Sequence, residues 1–154
     1  VLRPMAEAKG IDLACTVDPG LPQVWIDFQQ FLRVLSNLLV NALKFTGSGG
    51  KVHLHVGSAG SEVLISVADS GPGIPEDELE TVFARYWQGR RGDRRGAGLG
   101  LAIARAIVKA HGGRVWAESR SGQGATFFAT IPISDEQPGA PSDARVRRQR
   151  RGAA

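Results

Sequence analysis

Apolar residues recur at Phe28, Phe31, Leu32, Leu35, Leu38, Leu39 and Ala42, the spacing of one buried face of an α-helix. Asp27 stands where an N-cap belongs and Gly47 closes the run, which predicts a long helix ending near Thr46. A shorter helix is expected over Leu2–Lys9, with Gly10 in the C-terminal glycine position. Period-two alternation predicts strands over Ile11–Val17, Lys51–Gly57 and Glu62–Ala68, with Val24–Ile26 as a short strand or edge segment and Ser58–Ser61 as a hairpin loop. Pro75 followed by Glu76, Asp77 and Glu78 predicts another helix start, with the helix running to about Tyr86. Residues 87–97 have no apolar periodicity and read as a loop, and a further helix runs from Leu99 to His111 before Gly112-Gly113. Val115–Glu118 and Thr126–Ile133 complete the strands. This order implies an α/β two-layer sandwich, a mixed sheet with about three helices on one face.

Composition refines this picture at three points. At 154 residues with 42% hydrophobic and 22% charged residues, the chain is sized for one domain with a real core. Its net charge of +4 comes from residues 138–154, which hold five arginines and one acid and leave fourteen charges of each sign in residues 1–137. The domain is therefore expected to end at Ile133, with 134–154 a disordered basic tail, either a solvated terminus or a nucleic-acid patch. Cys15 is the single cysteine, which excludes an internal disulfide and a cysteine metal site and suits a reducing, cytoplasmic setting. No apolar run reaches membrane-spanning length. The opening V-L-R-P-M-A-E-A-K-G has neither an initiator Met nor a signal segment and reads as part of a longer polypeptide.

The candidate chemistry lies in three places. On the long helix, at about 100° per residue, Arg33, Asn37, Asn41 and Lys44 share a narrow sector opposite the apolar face. That sector is either a solvated polar face or a site where carboxamide oxygens hold a hard cation such as Mg²⁺ and the ammonium meets phosphate. The stretch Asp69-Ser70-Gly71-Pro72-Gly73-Ile74 delivers a carboxylate at a strand end into a glycine turn, where backbone can approach a ligand. Gly96, Gly98 and Gly100 lead into the helix containing Leu99 and Leu101, whose free N–H groups and positive dipole end suit a phosphate. A dinucleotide fingerprint is set aside, because an arginine loop and not a strand precedes these glycines, and no G-K-[ST] of a Walker A loop occurs. His53 and His55 share one strand face and read as half-exposed strand residues and not as metal ligands.

With these pieces in order, residues 2–133 resemble the ATP-binding catalytic domain of sensor histidine kinases, within the gyrase, Hsp90, histidine kinase and MutL ATPase superfamily. N-L-L-V-N-A-L-K-F-T resembles the N box, D-S-G-P-G-I the G1 box, F-A-R-Y-W the F box, G-A-G-L-G-L the G2 box and G-Q-G-A-T-F the last glycine turn. The resemblance implies ATP and Mg²⁺ as cofactors. It makes Asn41, with Asn37, the Mg²⁺ ligands and Lys44 a phosphate contact. It makes Asp69 the acceptor of the adenine amino hydrogen, which guanine lacks at that position. It implies that Gly71 and Gly73 let the base approach, that Ile74 packs on the ring, and that Phe45 does so or serves the core. Arg85 is the F-box cation near the phosphates, and residues 86–97 form the ATP lid. Gly96, Gly98, Leu99, Gly100 and Leu101 lie at the phosphates, and Thr126 closes the site. The lid arginines either steer nucleotide or are simply solvated. Departures are Ala84 in place of an acid, Tyr86-Trp87-Gln88 in place of Phe-Tyr-Arg, and Ala125 in place of Ser or Thr.

Residue 37 points to the reaction. The superfamily's ATP hydrolases resemble one another in a glutamate four residues before the Mg²⁺ asparagine, and here that residue is Asn37, which is no base. A neutral histidine is already nucleophilic near pH 7, so a histidine-directed kinase omits the glutamate. The acceptor is missing, since none of the three histidines stands in an H-E-x-x-R-like helix. The implied partners are the parent's own dimerisation and phosphoacceptor helices, in a homodimer, and a cognate response regulator, without nucleic acid. The rival readings are a degenerate nucleotide-binding module of the same fold and a nucleic-acid binder acting through the tail.

Overall fold

The computed structural model describes residues 2–87 and 98–133. The lid segment 88–97, with Gly96 and the four lid arginines, and the tail 134–154 lie outside the described residues. The elements are α1 (Leu2–Ala8), β1 (Asp12–Val17), α2 (Phe28–Phe45), β2 (Lys51–Ala59), β3 (Glu62–Asp69), a 3₁₀ turn (Glu76–Glu78), α3 (Gly100–Ala110), β4 (Val115–Ser119) and β5 (Ala125–Pro132).

The strands form one sheet in the order β1-β2-β3-β5-β4. β1 runs parallel to β2, joined through α2, and every other pair is antiparallel. Strand alternation puts Val52, Val63, Ile65, Val67, Phe127, Ala129 and Ile131 on one face, all buried. The helices cover that face with Val34, Leu38, Leu39, Ala42 and Leu43 of α2 and Leu101, Ala104, Ile107 and Val108 of α3. The mixed two-layer sandwich expected from the sequence is the one observed.

Local chemistry fixes where α1, α2 and α3 start and stop. Gly10 at φ +64° ends α1 in a Schellman arrangement, with the Gly10 N–H on Glu7 O and the Ile11 N–H on Ala6 O. α3 ends the same way at Gly112 (φ +77°), with Gly112 N–H on Lys109 O and Gly113 N–H on Val108 O. The Asp27 carboxylate accepts the Gln30 N–H at 3.0 Å as the N-cap of α2. At the other end of α2, the Lys9 ammonium donates to the carbonyls of Leu43 (2.5 Å), Lys44 (3.2 Å) and Thr46 (3.0 Å), a cation at the negative end of the helix dipole. His111 joins the two long helices: its Nδ1–H donates to Ile107 O at 2.8 Å, so its Nε2 accepts the Asp27 N–H at 3.0 Å.

Three expectations are corrected. The helix expected from Pro75 to Tyr86 is a single 3₁₀ turn followed by tight turns to Trp87. Thr81 turns its hydroxyl onto Glu78 O at 2.9 Å, competing for a helical carbonyl, and the chain bends to send Phe83 edge-on against Phe127 (6.1 Å, 81°). Val24–Ile26 forms no strand, although Val24 and Ile26 pack against the core. The apolar face of α2 is buried only from Val34 onward, and Phe28 and Leu32 are exposed at 65% and 44%. Periodicity defines a face but not how far its packing partners extend.

The sheet face away from the helices carries His53 and His55. His53 Nε2 lies 2.8 Å from the Thr16 hydroxyl and His55 Nε2 lies 3.0 Å from Asp18 Oδ1. Among the described residues no group of three His, Cys, Asp or Glu side chains is placed to hold a metal ion. On the same face Trp116 stacks on Phe128 at 4.9 Å and 11°, with the Arg114 guanidinium 4.6 Å from the Trp116 ring.

Candidate functional site

Asp69 ends β3 at the edge of the buried face, where its register partners are Val52 and Ala125. Its Oδ1 accepts the Gly71 N–H at 2.8 Å, and the Ala125 N–H also reaches the carboxylate. Burial raises the Asp69 pKa above the ordinary carboxylate value, and these two N–H groups pull it part of the way back. The result is an acceptor with fixed direction in a partly dry setting.

The turn after Asp69 depends on its glycines for close approach. A Cβ at Gly71 would meet Asp69 Oδ1 at 2.8 Å and Phe45 O at 3.0 Å. Gly73 has φ +74°, and a Cβ there would lie 2.3 Å from Arg120 O. The turn is thus lodged between the end of α2 and the β4–β5 connection. Two further bonds hold it there, from the Gly122 N–H to Pro72 O at 2.7 Å and from the Ile74 N–H to Ser119 Oγ at 2.7 Å. Ile74 itself is buried at the rim of the core. A cleft of about 270 Å³ opens beside Asp69, bounded by Glu118, Arg120, Gln123 and Thr126.

The second wall of the site is the polar sector of α2. Asn37, Asn41 and Lys44 are all half-buried, neither free in solvent nor in the core. Asn37 faces the start of α3, since a Cβ at Gly100 would stand 3.3 Å from Asn37 Oδ1. Lys44 Nζ lies 4.7 Å from the centre of the half-buried Phe45 ring. Near the start of α3, Gly98 has φ +65° and would clash with Trp87 O at 2.6 Å if it carried a Cβ, while its carbonyl accepts the Tyr86 N–H at 2.9 Å. Leu99 precedes α3 without a side-chain cap of its own. Arg85 is exposed on the turn that meets Gly98.

The structure therefore gathers Asp69, Gly71, Gly73 and Ile74 at one edge, and Asn37 with Gly100 where α2 meets α3. Two further candidates adjoin these groups, with Thr126 bordering the cleft beside Asp69. The Leu101 side chain is buried in the core, in the first turn of α3. Thr126 pairs with Ala68 and Glu118, so alternation turns its side chain to the sheet face away from the helices. Gly96 lies outside the described residues. One residue escaped the sequence reading: Ser119, whose hydroxyl accepts from Ile74 and donates to Gly124 O at 2.6 Å. The available signal was a serine at a strand end just before a glycine turn.

Comparison with known proteins agrees with this layout. The model of the histidine kinase-, DNA gyrase B- and HSP90-like ATPase family matches residues 26–135. The alginate biosynthesis sensor protein KinB of Pseudomonas aeruginosa is 40% identical over 131 residues, which are 84% of this chain and 22% of KinB. Full-length ShkA, solved in complex with AMPPNP, superposes with a TM-score of 0.76 at 36% identity over 87% of this chain and 28% of that one. Histidine kinase ThkA, solved in complex with the response regulator protein TrrA, gives 0.72 at 31% identity over 86% and 37%. This chain thus spans only about a fifth of KinB's length. It belongs to the histidine kinase-, DNA gyrase B- and HSP90-like ATPase family and, within it, resembles the catalytic domains of sensor histidine kinases.

Proposed function

We propose that the chain is the catalytic domain of a two-component sensor histidine kinase, which holds Mg-ATP for transfer of its γ-phosphate to a histidine on dimerisation helices elsewhere in the parent protein. The observation that carries this reading is the Asp69 carboxylate, partly buried and aimed by the Gly71 and Ala125 N–H groups beside a turn that excludes a Cβ. An ionised carboxylate in that position accepts the adenine amino hydrogen and repels the guanine carbonyl.

The donor set of α2 fits the rest of the nucleotide. Asn41 and Asn37 offer neutral oxygens to Mg²⁺, which takes few protein ligands and keeps water and phosphate oxygens as the others. Bound there, the metal supplies charge neutralisation along the triphosphate. Lys44 and Arg85 add cationic charge, and the N–H groups at the start of α3 add oriented dipoles. With Asn at position 37 the site offers no carboxylate base there, and the acceptor imidazole brings its own lone pair. The chain's contribution is then to hold the γ-phosphorus in line with that nitrogen and to stabilise the departing ADP.

AMPPNP binding to the AMPPNP-complexed relative ShkA and the ThkA–TrrA complex support a nucleotide site and a response-regulator partner for the parent protein. The test is incubation of the chain with γ-labelled ATP, alone and beside a histidine kinase dimerisation domain. The expected result is Mg²⁺-dependent nucleotide binding with no acid-labile phosphate on the chain itself. Acid-labile label accumulating on the isolated chain would contradict an acceptor located elsewhere.

A further inference from the structure

The Asp69 carboxylate and the Ile74 N–H belong to one turn, yet both are governed from a different strand. Ser119, the last residue of β4, accepts the Ile74 N–H at 2.7 Å and donates its own proton to Gly124 O at 2.6 Å. The Gly124 carbonyl and the Ala125 N–H are the two ends of a single peptide group, and that N–H is one of the two that reach the Asp69 carboxylate. A peptide group is planar, with its C=O and N–H pointing in opposite directions, so fixing the oxygen aims the hydrogen. Gly124 gives this peptide no side-chain restraint of its own. It sits at φ +81°, with its Cα so close to Asp69 O that an added Cβ would overlap it at 2.0 Å. The Ser119 hydroxyl is thus the one side-chain group, among the contacts described, that touches both the base turn and the peptide serving Asp69.

We propose that Ser119 is the positioning residue of the base edge, its hydroxyl locking the 124–125 peptide and the Ile74 N–H so that Asp69 is held as a directed, ionised acceptor. This rests on the nucleotide-site reading and deepens it, since it assigns base recognition in part to Ser119, which borders the same cleft as Asp69 from β4. Removing the hydroxyl leaves the Ile74 N–H without its partner and frees the 124–125 peptide to rotate, which weakens the hydrogen bond that Ala125 gives Asp69. Glu118 of β4 and Arg120 after it border the cleft beside Asp69, and Lys51 of β2 holds the neighbouring Ser70, its N–H on Ser70 Oγ and its carbonyl accepting the Ser70 N–H; register puts Glu118 and Lys51 on the sheet face opposite Asp69. None of these is altered by a change at Ser119, so a change in Asp69 titration reports the peptide.

The experiment measures the Asp69 side-chain carboxyl titration by NMR in the full chain without nucleotide, for the parent, Ser119→Ala and Ser119→Thr, and then titrates each with AMPPNP. Circular dichroism confirms that each variant is folded. Ser119→Ala is expected to move the Asp69 midpoint upward and to weaken AMPPNP binding about tenfold, the loss of a half-buried hydrogen-bond partner. Ser119→Thr keeps the hydroxyl and is expected to follow the parent in both measurements. Coincident Asp69 midpoints in the parent and Ser119→Ala, or a Ser119→Thr variant that shifts as far as Ser119→Ala, would overturn the proposal. A parent chain that binds no AMPPNP would sink the nucleotide reading by itself, while the ligand-free titration still decides the role of Ser119.

Discussion

The two edges of the site are built by opposite means. At the base edge, Asp69, the Gly71–Ile74 turn and the β4–β5 connection are joined mainly by backbone groups: Gly71 and Ala125 N–H on Asp69, Gly122 N–H on Pro72 O, and glycines at contacts too close for a Cβ. At the proposed phosphate edge, the candidate groups are half-buried side chains of one helix, Asn37, Asn41 and Lys44, with Asn37 beside the start of α3. The difference follows from what each edge would recognise. A purine ring is flat, rigid and distinguished by the direction of single hydrogen bonds, so the walls must be close and fixed. A triphosphate with its metal carries charge over many oxygens, and side chains that adjust by a rotamer serve it well.

That contrast predicts which substitutions break folding and which break only binding. The largest effect is expected from Gly124→Ala, where the added Cβ meets Asp69 O at 2.0 Å in a left-handed conformation. We expect about 3 kcal/mol of lost stability, read as a lowered midpoint in chemical denaturation. A midpoint within error of the parent would mean that the base edge is not rigid. At the phosphate edge, Asn41→Ala is expected to leave the denaturation midpoint within about 0.5 kcal/mol of the parent. Its cost should fall on the Mg²⁺-dependent part of nucleotide affinity, lowered about tenfold for one lost ligand, which calorimetry with and without Mg²⁺ resolves.

Acidity sharpens the comparison further. Burial raises the Asp69 pKa above its ordinary value, so the folded chain holds that proton more tightly than the unfolded one does. The Asp69 contribution to stability is therefore full below the ordinary carboxylate pKa and lost as pH rises through the raised one. Nucleotide affinity runs the other way, because recognition of the adenine amino group needs the ionised form, and it falls as pH drops through the raised value. Asp69→Asn removes both dependences. Denaturation midpoints and AMPPNP affinities measured across the mildly acidic range, in parent and variant, check the two opposite slopes. The smallest effect is expected from Lys9→Met, which takes the ammonium from three carbonyls at the end of α2. It should cost about 1 kcal/mol of stability and leave the Mg²⁺ dependence of binding unchanged, as calorimetry on the folded variant would show.

What the sequence disclosed and what it withheld divide along the same physical line. The α2 polar sector, the Asp69 turn and the glycines before α3 were readable, because side-chain type and short-range spacing specify them directly. The failed helix after Pro75 was not, since Thr81 and the packing of Phe83 on Phe127 decide it from a distant strand. The exposure of Phe28 and Leu32 escaped for a related reason: periodicity cannot see where the neighbouring elements end. T-F-F-A-T-I already alternates, which places Phe127, Ala129 and Ile131 inward and leaves Thr126 to border the cleft beside Asp69. Ser119 escaped because its one local signal, a serine at a strand end before a glycine turn, does not name its partners. Its meaning comes from Ile74 and Gly124, one of them far away along the chain.

The most direct measurement is calorimetric titration of the chain with AMPPNP and with its guanine counterpart, with and without Mg²⁺, beside Asp69→Asn. The account predicts adenine-selective binding that Mg²⁺ strengthens, and its collapse in Asp69→Asn while that variant stays folded. A folded parent that binds neither nucleotide, or an Asp69→Asn variant that binds AMPPNP as the parent does, would contradict it.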